Sequence, residues 1–406
     1  MNRLERHPAL TLLVVLLALL GLVLFVSEAL LRPDSGAEVV GGDSVTDPRR
    51  FLPLREWQPY TRFSFGPPET RVASARGELQ EVYPLDTDQF GFIEPAVIHQ
   101  DADVEIVFVG GSTTECMYVM PENRFPYLTG RLLEERLGLK VNGINAGKSG
   151  NNTMLSLLAT IGKVLPRRPD YVVLMHNTND LGVLSTHRTY WTEDSNFALV
   201  RARERSLETV VRDLRDMAFP YTYRRLRRAL RQLGEADIAP SPTTALADEP
   251  AAAVEGKAGH RVPTGDAELA RMGADFESAL RSFVGVVRAW HIAPVLMTQV
   301  TLGGSETERA QGLQGAYLAE EQLARGDFTP DSFARTHDYL NAIIRHVALS
   351  EEVTLIDLAR ARQWSDADIY DGLHFLDSGS RRVAEVVATA METLLRERFS
   401  GAVQPD

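Results

Sequence analysis

The chain has 406 residues, 44% of them apolar, enough to bury one large core or two small ones. Its net charge of −12 excludes a general nucleic-acid binder, whose footprint is basic. The single cysteine, Cys116, closes no intramolecular disulfide, and no CxxC, HExxH or His-rich cluster signals zinc. The first element is an apolar run over residues 9–31, behind a short tail of residues 1–8. Ala9 to Val26 is uncharged with one polar residue, Thr11, and the run continues past Ser27 and Glu28 to Leu31. That matches the ~20 residues a helix needs to cross a bilayer. A polar face, the mark of a buried helix in a soluble domain, is absent. Arg3 and Arg6 favour a cytoplasmic N-terminus, so a single-pass anchor with the rest of the chain extracytoplasmic (periplasmic) is expected. Ser27-Glu28-Ala29 offers a small-x-small cleavage site, which keeps a removed signal peptide as the alternative; the run exceeds the usual core of about 7–15 residues.

Residues 32–100 are polar and rich in Pro, Gly and Arg with scattered aromatics, and read as a spacer that becomes a collar. Asp86 to Ile93 looks like a turn within it. From 101 to 400, strand and helix patterns alternate. β-Branched apolar runs occupy Val104–Val109, Val141–Asn145, Tyr171–Met175, Pro294–Val300 and Val353–Leu358. Helical periodicity covers Tyr127–Leu137, Met154–Leu165, Ala267–Trp290, Ser332–Ala348 and Ser378–Arg398. Such alternation predicts a parallel sheet covered on both faces, with chemistry at the carboxyl ends of its strands. An insertion over 185–266 interrupts it: an Arg-rich helical stretch from Arg201 to Leu233, then a loop of disordered composition. Its basic cluster from Arg224 to Arg231 reads as a solvated helix face, or as a surface for anionic headgroups or an acidic glycan.

Four segments carry candidate chemistry. In Gly110-Gly111-Ser112 two glycines permit a tight turn after a strand, and Ser112 reads either as an N-cap or as a nucleophile. A serine hydroxyl needs a base to attack, and Asp371-Gly372-Leu373-His374 supplies one. Across a turn, the Asp371 carboxylate can hold the imidazole Nδ1–H and leave the other nitrogen to take the serine proton. Gly150, in Asn145-Ala146-Gly147-Lys148-Ser149-Gly150, and Asn179, in Asn177-Thr178-Asn179-Asp180, are candidate oxyanion donors, although Asn-Asp also favours a plain turn. Gly147-Lys148-Ser149 imitates a P-loop end, but the required first glycine falls on Asn142, so nucleotide is not an expected ligand. The chain has no G-x-S-x-G elbow, which argues against an α/β-hydrolase.

Taken in order, the four segments resemble the sequence blocks of the SGNH/GDSL hydrolase family. Gly110-Gly111-Ser112 stands for Gly-Asp-Ser with glycine replacing the acid, and Asn177-Thr178-Asn179-Asp180 stands for Gly-x-Asn-Asp without its glycine. Asp371 and His374 complete the last block, and Gly150 falls on the family's oxyanion glycine. The resemblance implies a flavodoxin-like three-layer α/β/α sandwich with a five-stranded parallel sheet. It also implies a Ser112–His374–Asp371 triad and an oxyanion hole of Ser112, Gly150 and Asn179. No cofactor or metal is implied. The expected activity is a serine esterase removing acyl, for instance acetyl, groups from an envelope or secreted glycan. The alternatives are an O-acyltransferase using the same acyl-enzyme, a lipase or thioesterase, and a catalytically idle envelope scaffold.

Overall fold

The computed structural model describes residues 50–52, 54–67, 79–191, 199, 201–202, 266–302 and 330–400, with Val23 and Val26. The expected tail and anchor (apart from those two valines), the spacer up to residue 49, and the loop over 234–265 lie outside the described residues. Among the described residues, no helix is long and apolar enough to cross a membrane. The chain divides into two compact units, Met1–Leu52 with Val200–Ala252, and Pro53–Leu199 with Ala253–Asp406. In the first, Arg50–Phe51 pairs antiparallel with Arg201–Ala202. The helix expected from Arg201 therefore does not begin there: these two residues are extended, their backbone engaged in a short ladder. The remainder of that helical stretch, residues 203–233, lies outside the described residues.

In the second unit, an antiparallel pair precedes the main sheet: β1 (Arg62–Phe65) lies against β2 (Tyr83–Asp86). Trp57, Leu85 and Ile93 form a small core under it. The Asp86–Ile93 segment does turn, with Asp88 Oδ1 accepting the N–H groups of Phe90 and Phe92 at 2.8 and 2.9 Å. The buried Arg124 donates to the carbonyls of Pro84 (2.6 Å) and Glu94, which fastens this collar to the start of the helix Phe125–Leu137.

The main sheet has five strands: β3 (Val104–Gly110), β4 (Val141–Asn145), β5 (Tyr171–Met175), β6 (Ala293–Met297) and β7 (Thr354–Ile356). They run parallel in the order β4-β3-β5-β6-β7. Alternate residues feed opposite faces. Val107, Val109, Val172, Leu174 and Leu296 enter one core, while Ile106, Phe108, Val173, Val295 and Met297 enter the other. Helices α5 (Asp266–Ala289) and α6 (Pro330–Ser350) cover the first face, with α3 (Thr153–Ala159). Helices α2 (Phe125–Leu137) and α7 (Asp377–Ser400) cover the second. The layers are thus α/β/α.

Two strands end sooner than their apolar runs. Thr298 N–H still bonds Ile356 O of the neighbouring strand at 3.1 Å, and beyond it the backbone turns to side chains: Gln299 N–H donates to Asn341 Oδ1 (3.1 Å), and Asn341 Nδ2 donates back to Gln299 O (2.9 Å). The carboxylate of Asp357, just beyond β7, accepts from Thr298 Oγ1 and from Arg345. The strand order reverses beside β3, whose neighbours β4 and β5 follow it in the chain on opposite sides. Ligands of open parallel sheets bind at such a switch point, outside the carboxyl ends of the strands.

Candidate active site

Ser112 stands just past β3 and opens the four-residue helix α1 (Ser112–Glu115). A Cβ on Gly111 would sit 2.6 Å from Asn179 Nδ2, so only glycine lets that amide lie against the serine turn. His374 arrives from a pinched loop closed by the Ile369–Phe375 bridge and by Tyr370 N–H on His374 O at 3.0 Å. Within it, Asp371 Oδ1 accepts the N–H groups of Leu373 (3.2 Å) and His374 (2.8 Å). This local capture, typical of Asp in turns, orients the carboxylate so that Oδ2 lies 2.7 Å from His374 Nδ1. On the far side of the ring, Nε2 lies 2.7 Å from Ser112 Oγ. With Nδ1–H bound to a carboxylate, the tautomer that fits leaves Nε2 as acceptor of the serine proton. The Tyr370 ring stacks on the imidazole at 5.7 Å and 16°.

The Asn179 amide lies against the serine turn, and Gly150 directly precedes Asn151, the residue that amide bonds. Gly150 adopts φ +75°, a conformation that favours glycine. Asn179 lies in the first turn of α4 (Thr178–His187) and donates one N–H of Nδ2 to Asn151 O at 2.7 Å. The N–H groups of Ser112 and Gly150 meet no acceptor among the described residues. Such groups can receive negative charge developing on a substrate oxygen.

Sequence reasoning missed the supports of this site. Gln299 bridges the nucleophile turn and the amide turn: its Nε2 donates to Thr113 Oγ1 (2.9 Å), and its Oε1 accepts the Thr178 N–H (2.9 Å). The available signal was position, since Gln299 follows β6 at the same sheet edge. Lys148, from the P-loop lookalike, is buried with its Nζ 3.3 Å from the Trp57 ring centre, a cation–π seat on the collar. No cluster of three or more His, Cys, Asp or Glu placed to hold a metal occurs among the described residues.

Behind the site lies a second, fully buried polar group. His176 Nε2 is 2.7 Å from Ser156 Oγ, and Asp180 accepts the Thr153 N–H and the Tyr190 hydroxyl. Burial pushes His176 and His337 down to about 3 and Asp180 up to about 6. The signs oppose. Each histidine is neutral when folded but protonates near 6.5 when unfolded, so its stability is complete above 6.5 and lost as pH falls towards 3. Asp180 contributes stability below 3.8 that is lost as pH rises through about 6. Between pH 6 and 4 the unfolded chain therefore binds a net one proton more, costing roughly 1 kcal/mol per pH unit. Urea unfolding of the parent and of His337→Gln at pH 6 and 4 checks this. The variant's slope should be shallower by about 1 kcal/mol per unit; equal slopes would refute the account.

A family model described as GDSL-like Lipase/Acylhydrolase matches residues 108–382. The chain belongs to that family. It is therefore an enzyme that hydrolyses ester bonds. Among solved structures, it is similar to Axe2, an acetylxylan esterase from Geobacillus stearothermophilus, at 15% identity. That match covers 71% of this chain and 94% of the other, with a TM-score of 0.40. It is also similar to LAE5, described as an alpha/beta hydrolase enzyme from the metagenome of Lake Arreo, Spain. There the identity is 14%, the coverage 71% and 95%, and the TM-score 0.39. No curated protein matches the chain in sequence.

Proposed function

We propose that this acylhydrolase works through an acyl-enzyme on Ser112, with His374 as general base and Asp371 as its orienting carboxylate. The observation that carries the reading is the continuous 2.7 Å and 2.7 Å relay from Ser112 Oγ through the imidazole to Asp371. As Oγ bonds to the ester carbonyl carbon, its proton passes to His374 Nε2 and the carbonyl oxygen becomes an alkoxide. The N–H groups of Ser112 and Gly150 and the Asn179 amide hold that oxygen. Collapse expels the alcohol, which takes the proton from His374; water then attacks the acyl-enzyme by the same route and frees the acid.

The substrate we assign is a small acyl ester, an acetyl ester, on an envelope or secreted glycan. The support is the apolar run of residues 9–31, uncharged from Ala9 to Val26, with Arg3 and Arg6 before it, which would place the catalytic unit outside the cytoplasm. The full-length protein should take up one fluorophosphonate per chain, located on Ser112 by peptide mass mapping, and release acetate from acetylated oligosaccharides. An active preparation in which Ser112 stays unlabelled would overturn the mechanism. Labelling without acetate release would overturn the substrate alone.

A further inference from the structure

The Ser149–Gly150 peptide unit is held on both sides by residues with no assigned part in the reaction. Arg55, from the collar, donates through Nη2 to the Ser149 carbonyl at 3.0 Å. The preceding N–H, that of Ser149, donates to Glu115 Oε2. A trans peptide is planar, with its C=O and N–H pointing in opposite directions. A guanidinium fixed on the Ser149 oxygen therefore fixes the direction of the Gly150 N–H. Such a bond also polarises the amide and makes its N–H a stronger donor.

Both anchors are themselves constrained. Asn151 Nδ2 donates to Arg55 O at 3.0 Å, so the collar segment at Arg55 and the glycine turn are tied twice. Glu115 is 3% exposed and lies three residues past Ser112 on α1, its N–H bonded to Gly111 O at 2.9 Å. A buried carboxylate is costly unless it is bonded, and this one is spent on the turn that carries Gly150. Arg55 precedes the stretch matched by the family model, residues 108–382.

We propose that Arg55 and Glu115 are positioning residues that aim the Gly150 N–H at the substrate oxygen, so that the collar completes the oxyanion hole. The inference rests on the Ser112 acyl-enzyme reading. Losing a whole oxyanion donor costs about 10²–10³ in kcat, so a misaimed one costs roughly 10–10²-fold.

The test uses full-length Arg55→Ala, Arg55→Lys, Glu115→Asp and Glu115→Gln with p-nitrophenyl acetate and a phenylboronic acid, which forms a tetrahedral adduct on an active serine. In Arg55→Ala and Glu115→Asp, kcat should fall about 10–10²-fold with KM within about threefold, and boronate affinity should fall by the same factor as kcat. Arg55→Lys should recover part of the loss. Glu115→Gln, which keeps an acceptor of full length, should stay within about fivefold of the parent. Parental kcat in folded Arg55→Ala and Glu115→Asp would overturn the proposal, as would a raised KM at constant kcat. An active Ser112→Ala would instead bring down the acyl-enzyme reading, whatever Arg55 does. An inactive Ser112→Ala beside fully active Arg55 and Glu115 variants would defeat this inference alone.

Discussion

Replacing Ser112 by alanine is expected to lower kcat for p-nitrophenyl acetate by about 10⁴–10⁶-fold while leaving KM nearly unchanged. The size follows from the geometry. His374 Nε2 faces one hydroxyl at 2.7 Å, and its other nitrogen is bonded to Asp371. Without Oγ the imidazole loses the hydroxyl that it activates and that bonds to the ester carbon. The amide groups of Ser112, Gly150 and Asn179 stay in place, so ester binding and a residual rate over free solution survive. Ser112 lies at a helix start and its hydroxyl bonds no core group, so the variant should melt within a few degrees of the parent. Steady-state kinetics with a melting curve measure both quantities. A loss under tenfold in a folded variant would mean the nucleophile is elsewhere.

The sheet was readable because parallel strands covered on both faces are continuous apolar runs, and Val141–Asn145 and Tyr171–Met175 coincide with their ladders residue for residue. The third strand, Val104–Gly110, and the helices Phe125–Leu137 and Asp377–Ser400 depart from their patterns by only one or two residues at an end. Helix α4 was hidden. Thr178-Asn179-Asp180 has the composition of a turn, and the helix forms because Leu181, Val183 and Leu184 go into the core. At the site, Asp371 and His374 were legible as a pair since three residues across a turn bring them into contact. Gln299, Glu115 and Arg55 were not. Their contacts join residues 186, 34 and 94 positions apart, and a buried glutamine or glutamate carries no periodic signature. Only the fold gives those side chains their partners.

Asp371→Asn is the second large effect, an expected loss of about 10⁴ in kcat at neutral pH without loss of fold. The substitution changes one atom's hydrogen-bonding sense. Asparagine's oxygen can still accept the N–H groups of Leu373 and His374, which Asp371 Oδ1 holds at 3.2 and 2.8 Å, so the loop keeps its shape. That leaves the amide nitrogen where Oδ2 stood, 2.7 Å from His374 Nδ1. An amide N–H there donates to Nδ1, and the ring proton must move to Nε2. Nε2 then donates to Ser112 Oγ instead of accepting from it, and no base remains. A neighbouring carboxylate offers no rescue. Asp368 is committed to Ser365 at 3.1 Å and to Arg382 at 2.5 Å. The variant should therefore react with fluorophosphonate about as slowly, relative to the parent, as it turns over ester, since both need the serine proton removed. Labelling at the parental rate in Asp371→Asn would show that the imidazole needs no orienting carboxylate, and would remove Asp371 from the mechanism while leaving Ser112 and His374 in it.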